Sequence, residues 1–122
     1  MLAVYNAAHP DDPLPSLQQV VDAGASYLVS AVNFSDAGFE RFAGKVPMIP
    51  GCGSATEIAQ AEELGVEIVK VFPGASVGGP AFVRSVLGPC PWTCIMPTGG
   101  VDATEESIRA WFGAGVACVG IG

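Results

Sequence analysis

Short apolar runs of strand length alternate with segments of helical spacing along the whole chain. The runs fall at Leu2 to Tyr5, Tyr27 to Val32, Val46 to Ile49, Val66 to Phe72, Thr93 to Met96 and Ala117 to Ile121. Between them, apolar residues recur three and four apart: Leu17, Val20 and Val21; Phe39 and Phe42; Ile58, Ala61 and Leu64; Phe82, Val83, Val86 and Leu87; Ile108, Trp111 and Phe112. The pattern predicts six strands separated by five helices. Strands joined through single helices run parallel, which leaves an open doubly wound sheet or a closed βα barrel. Punctuation agrees. Ser54 with Glu57 and Asp102 with Glu105 have capping-box spacing, and Gly24, Gly44, Gly65, Gly88 and Gly113 stand where C-cap glycines belong. The stretch His9-Pro10-Asp11-Asp12-Pro13-Leu14-Pro15 reads as loop, because proline removes backbone donors. His9, the only histidine, is expected there without a catalytic duty.

Half of the residues are hydrophobic, 14% are charged, and the mean hydropathy is +0.46. That suits a single domain over residues 1–122 whose sheet is covered on both faces, or one partly covered by another molecule. Five basic and 12 acidic side chains leave a net charge of −7, which argues against nucleic acid and against anionic membranes as partners. The longest uncharged run, Ser85 to Val101, is broken by prolines and glycines, so no membrane span is expected. Without a basic start or a sustained apolar region, Met1 to Tyr5 does not read as a signal peptide, and the expectation is a cytoplasmic protein. Cys52, Cys90, Cys94 and Cys118 are expected as buried free thiols. The closest pair has a gap of three residues rather than the two of zinc or redox motifs.

Lys70 stands in the strand Glu67-Ile68-Val69-Lys70-Val71-Phe72-Pro73, where the two-residue period places Ile68, Lys70 and Phe72 on one face. Desolvation there lowers a lysine's pKa and frees an amine to attack a carbonyl. The alternative is a lysine reaching from a strand end to water. Pro97-Thr98-Gly99-Gly100-Val101 follows a later strand and precedes a helix starting near Thr104. Its glycines suit a backbone anion site at a helix N-terminus, or simply a tight turn. Gly74, Gly78 and Gly79, and then Pro50-Gly51-Cys52-Gly53, form further loops after strand ends, the side on which such folds hold ligands.

These motifs, in order, are Ile49-Pro50-Gly51 with Ser54-Ala55-Thr56-Glu57, Lys70-Val71-Phe72-Pro73, Gly78-Gly79, Gly88-Pro89 and Pro97-Thr98-Gly99-Gly100-Val101. Together they resemble the 2-keto-3-deoxy-6-phosphogluconate (KDPG) / 4-hydroxy-2-oxoglutarate (KHG) aldolase family. The resemblance covers about Ala25 to Gly122 and extends only loosely over Met1 to Gly24. It implies a (β/α)8 barrel of TIM type, assembled as a homotrimer. It also implies a metal-free class I aldolase of the Entner–Doudoroff kind. Such an enzyme cleaves a keto-deoxy (phospho)sugar acid to pyruvate and an aldehyde, glyceraldehyde 3-phosphate or glyoxylate, through a lysine Schiff base. By position, Lys70 is the Schiff-base residue, Phe72 packs beside it, Thr98 lies near the pyruvyl carboxylate, and Gly99 and Gly100 hold the phosphate.

Against the family pattern, the six strands correspond to strands three to eight, which makes the expected barrel incomplete, with its first two strands missing. The family's proton-shuttling glutamate on the second strand and its nearby arginine have no counterpart. Asn6 stands where the family has Thr or Ser, Ala31 where it often has Pro, and the serine after the last glycines would follow Gly122. The isolated chain is therefore expected to be a poor aldolase. A phosphosugar isomerase or epimerase shares the glycine loops but not the strand lysine. A non-catalytic phosphate-binding or assembly module is the third reading.

Overall fold

The structure, a computed structural model, describes residues 2–5 and 13–122, with side chains from residue 17 onward. Its elements follow the expected alternation except at Gly51–Cys52, expected as a loop, where a short strand succeeds β3 with only Pro50 between them: β1 (Leu2–Tyr5), α1 (Pro13–Asp22), β2 (Tyr27–Ser30), α2 (Asp36–Phe42), β3 (Met48–Ile49), β4 (Gly51–Cys52), α3 (Ala55–Glu63), β5 (Val69–Val71), α4 (Gly79–Leu87), β6 (Ile95–Pro97) and α5 (Glu105–Ala114). Every strand pairing is parallel, in the orders β1-β2-β3 and β4-β5-β6. The two groups adjoin at Pro50. Its carbonyl accepts from the Lys70 amide at 2.9 Å, and the Gly51 amide donates to the Val32 carbonyl at 3.1 Å.

Alternation along the strands decides which side chains meet the helices. Val69, Val71 and Ile95 point outward and are buried with Ile58 and Ala61 of α3, Val83 and Val86 of α4, and Trp111 of α5. A second cluster joins Leu17, Leu28, Phe39, Phe42 and Met48, with Phe34 and Phe39 in edge contact at 5.5 Å between ring centroids. Val66 packs against both clusters. Each fully buried valine or leucine contributes roughly 1.5 to 3 kcal/mol, as an upper figure.

Several expectations are corrected. Pro13 to Pro15 belong to α1 rather than to a loop, because the first-turn N–H groups of a helix have no intrahelical acceptor and proline there forfeits no bond. His9 and Asn6 lie outside the described residues. The expected strand Ala117 to Ile121 is reduced, among the described residues, to one parallel bridge between Thr98 and Gly120. Val116 is buried and Val119 packs against the same core three residues later, a spacing that breaks strict alternation and shortens the ladder. Ser54 caps α3 as expected, its hydroxyl accepting from the Glu57 amide at 3.2 Å, but the Glu57 carboxylate accepts from the Gly53 amide instead of closing the box on Ser54. At α5 the cap is Thr104, not Asp102. Thr104 accepts from the Ser107 amide at 3.2 Å, and the Ser107 hydroxyl accepts from the Asp102 amide at 3.1 Å. Gly113 lies inside α5, and Gly115, with φ of 105°, ends it.

Gly51 marks the tightest approach in the sheet. A Cβ at that position would run into the Ala31 carbonyl and the Val32 amide nitrogen, both backbone atoms that cannot swing away. Gly51→Ala is expected to cost about 1 to 3 kcal/mol through forced backbone displacement. Urea denaturation measures it, and an unchanged midpoint would contradict the packing described.

Candidate active site

Because Val69 and Val71 face the helices, Lys70 between them faces the opposite, inner side of the sheet. Its partners in register are Gly51 on β4 and Met96 on β6. Lys70 is only 8% exposed. Its Nζ lies 5.1 Å from the centroid of the Phe72 ring, a cation–π contact in a partly dry setting. Among the described residues the ammonium makes no ion pair. Burial holds its pKa below the usual 10.5, which increases the share of free amine near neutral pH.

The Phe72 ring also meets the Gly99 turn, where an added Cβ would sit 3.2 Å from the ring. Gly99 and Gly100 have φ of 80° and 76°, the left-handed region that glycine occupies without strain. This turn is fastened to the loop after β5. The Gly74 amide donates to the Thr98 carbonyl at 2.7 Å and the Ala75 amide to the Gly99 carbonyl at 2.9 Å. Gly74 tolerates this approach because it has no side chain: a Cβ would meet the Thr98 and Gly99 carbonyl oxygens at 3.0 and 3.1 Å. The Thr98 amide bonds the Val71 carbonyl at 3.0 Å, and the Thr98 hydroxyl is buried without a hydrogen-bond partner.

The structure thus brings Lys70, Phe72, Thr98, Gly99 and Gly100 to neighbouring strand ends. Beyond Gly100 lies a concavity of about 560 Å³ between the N-termini of α4 and α5, lined by Gly79, Asp102, Thr104, Glu106 and Trp111 among others. Its electrostatics oppose an anion in part, since Glu105 and Glu106 already occupy the first turn of α5. Sequence reasoning did not single out Asn33. Its amide oxygen is also buried and unpartnered, in the segment that follows β2. A lone polar residue in a loop carries no periodic signal, so nothing short of the fold would have found it.

Burial makes Cys52 and Cys118 poorer nucleophiles than ordinary thiols. All four cysteines are free. Burial, assisted by the negative charges of Glu57 and Glu62, pushes the buried Cys52 thiol up to about 12. Cys118 is pushed up by burial and by Cys94. Cys90 is half-buried and Cys94 exposed, contrary to the expectation that all four are buried. Among the described residues no group of three or more His, Cys, Asp or Glu is arranged to hold a metal ion, and no helix is long and apolar enough to cross a membrane.

Residues 14–122 match the family model of KDPG and KHG aldolases. The chain belongs to that family. A 2-dehydro-3-deoxy-phosphogluconate aldolase of Treponema pallidum is 40% identical over 85 residues, 69% of this chain and 40% of that protein. The KDPG aldolase of Legionella pneumophila, solved with pyruvate captured as a covalent carbinolamine, superposes with a TM-score of 0.77 at 28% identity, over 88% of this chain and 52% of the other. The enzyme of Zymomonas mobilis, solved with 3-phosphoglycerate, gives 0.77 at 25% identity over 96% of this chain and 54% of its own. The arrangement is accordingly of the TIM-like parallel α/β type, and the chain spans about 40% of the length of the first curated relative.

A lysine with a lowered pKa has a definite stability signature. The folded chain binds the Lys70 proton more weakly than the unfolded chain, so the burden of charging it is fully present below the lowered folded pKa. That burden is relieved as pH rises from there to 10.5. Lys70→Met is therefore expected to be more stable than the parent at pH 7, with the difference shrinking as pH rises from the lowered folded pKa towards 10.5. Denaturant titrations across pH check this, and a difference that grows with pH would refute the shift.

Proposed function

We propose that this chain carries the Schiff-base machinery of a class I aldolase acting on 2-keto-3-deoxy (phospho)sugar acids. The supporting observation is the buried Lys70 amine, set over Phe72 on the inner face of the sheet beside the Thr98-Gly99-Gly100 turn. The Lys70 amine adds to the C2 carbonyl to form a carbinolamine, which loses water to give the protonated imine. The imine then accepts the electron pair of the C3–C4 bond as it breaks. The C4 hydroxyl proton leaves, the aldehyde departs, and protonation of the enamine at C3 followed by hydrolysis returns pyruvate and the free lysine. The aldehyde is glyceraldehyde 3-phosphate or glyoxylate. Thr98 sits by the keto acid, and the Gly99 and Gly100 backbone holds the distal phosphate. The Legionella relative's captured pyruvate and the Zymomonas relative's phosphorylated ligand are consistent with both halves of that substrate.

The proposal extends to residues 1–122 as a partial βα-barrel domain, cytoplasmic, assembling into a homo-oligomer, a trimer as the family resemblance implies. No metal or cofactor takes part. A second reading, a phosphate-binding or assembly module without turnover, is favoured by one observation: among the described residues no carboxylate pairs with Lys70 to move protons. Such a group contributes about 10² to 10⁴ in rate.

Borohydride reduction in the presence of pyruvate is expected to leave a 1-carboxyethyl group on the Lys70 nitrogen, located by peptide mass mapping, and Lys70→Ala should abolish the adduct. An adduct on any other lysine would refute the assignment. Retro-aldol turnover of KDPG by the 122-residue chain is expected to fall about 10²- to 10⁴-fold below the roughly 10 per second usual for enzymes. A normal rate would show that a proton-transferring group is in place after all.

A further inference from the structure

Two buried oxygens without hydrogen-bond partners, of Thr98 and Asn33, belong to segments that adjoin the strands on either side of the lysine strand. Thr98 follows β6, whose Pro97 is in register with Val71, so its hydroxyl lies on the neighbouring strand beside Phe72. Asn33 lies on the other flank. There Gly51 is the register partner of Lys70, and the Ala31–Val32 backbone folds so closely over Gly51 that no side chain fits between. The Gly51 amide fastens this segment by its bond to the Val32 carbonyl at 3.1 Å, and the Val32 amide bonds the buried Ser30 hydroxyl at 3.3 Å. Only backbone therefore separates the lysine strand from the segment carrying Asn33, whose side-chain oxygen is buried and lacks a donor. Buried acceptors are satisfied in the great majority of cases, and one left open in a segment tied to the register partner of Lys70 asks for a donor from a ligand.

We propose that Asn33 is a specificity-determining residue that accepts a hydrogen bond from the C4 hydroxyl of a 4-hydroxy-2-keto acid bound at Lys70. The inference rests on the Schiff-base reading of that lysine. A hydroxyl is the fitting partner because the open group is an acceptor. The C4 hydroxyl is the donor that distinguishes an aldol from a plain 2-keto acid, which makes Asn33 a sensor of the bond to be cleaved. An uncharged amide suits this place better than a carboxylate, which would stabilise the ammonium and withdraw the free amine.

The test compares 4-hydroxy-2-oxoglutarate with 2-oxoglutarate, which differ by that hydroxyl alone. On the purified 122-residue chain, borohydride trapping is followed by mass at increasing concentrations of each acid. The parent is expected to capture the hydroxylated acid at about three- to tenfold lower concentration, the effect of one hydrogen bond. Asn33→Ala should erase that preference while leaving 2-oxoglutarate capture unchanged, and Asn33→Asp, which keeps an acceptor, should retain it. A preference that survives Asn33→Ala, or an equal loss for both acids, overturns the proposal. Absence of any adduct with either acid would instead count against the reading of Lys70. The side-chain amide resonances of Asn33 then decide the inference: displacement by the hydroxylated acid alone supports it, and no displacement, or equal displacement by both, overturns it.

Discussion

The burial of Val69 and Val71 against three helices is the interaction from which the site follows. Those valines are 1% and 0% exposed, and they lock β5 in a single facing. A slip of one residue would drive the Lys70 ammonium into the apolar layer formed by Ile58, Val83 and Trp111 and expose both valines. That alternative loses the hydrophobic term of two side chains and adds the desolvation of a charge, so register and chemistry are set together. The lysine's orientation is thus a by-product of packing on the far side of the sheet, and it needs no hydrogen bond to the amine itself.

What packing does for the lysine, missing side chains do for the loops around it. Gly51 lets the segment after β2 close over the inner face, and Gly74 lets the loop after β5 bond to Thr98 and Gly99. Phe72 links these pieces, its ring touching both the Lys70 amine and the Gly99 turn. Bulk is concentrated in one aromatic ring, and the backbone segments supply the rest of the wall. Chain segments tied by short amide bonds have little freedom, which keeps the amine and the turn in a fixed relation without a dedicated scaffold of side chains.

The strand-and-helix alternation was legible because each element carries its own apolar period, and Lys70 was legible because it interrupts such a period at its centre. The same reasoning misjudged features that depend on neighbours. Pro13 and Pro15 look like breakers until one knows they fall in the first turn of α1. Asp102 and Thr104 both have capping chemistry, and only the path of the chain after Gly100 decides that Thr104 takes the position. The last apolar run has the composition of a strand, yet Val116 and Val119 both turn to the helix layer, so most of its ladder is lost. Asn33 was invisible for a different reason: its interest lies in lacking a partner, and the lack of a partner is a property of three-dimensional surroundings.

Burial also sets the Lys70 amine apart from the buried thiol of Cys52. The same transfer from water acts in opposite directions on the two groups, since it disfavours whichever form is charged. For Lys70 the charged form is the unreactive ammonium, so burial releases the nucleophile. For Cys52 the charged form is the reactive thiolate, so burial, reinforced by Glu57 and Glu62, holds the sulfur in its inert protonated state, with the pKa near 12. An acidic chain strengthens this contrast. Glu57 and Glu62 act on Cys52 in this way, while no carboxylate among the described residues pairs with Lys70. Had a glutamate stood against Lys70, the ammonium would have been stabilised and the first attack on a carbonyl slowed.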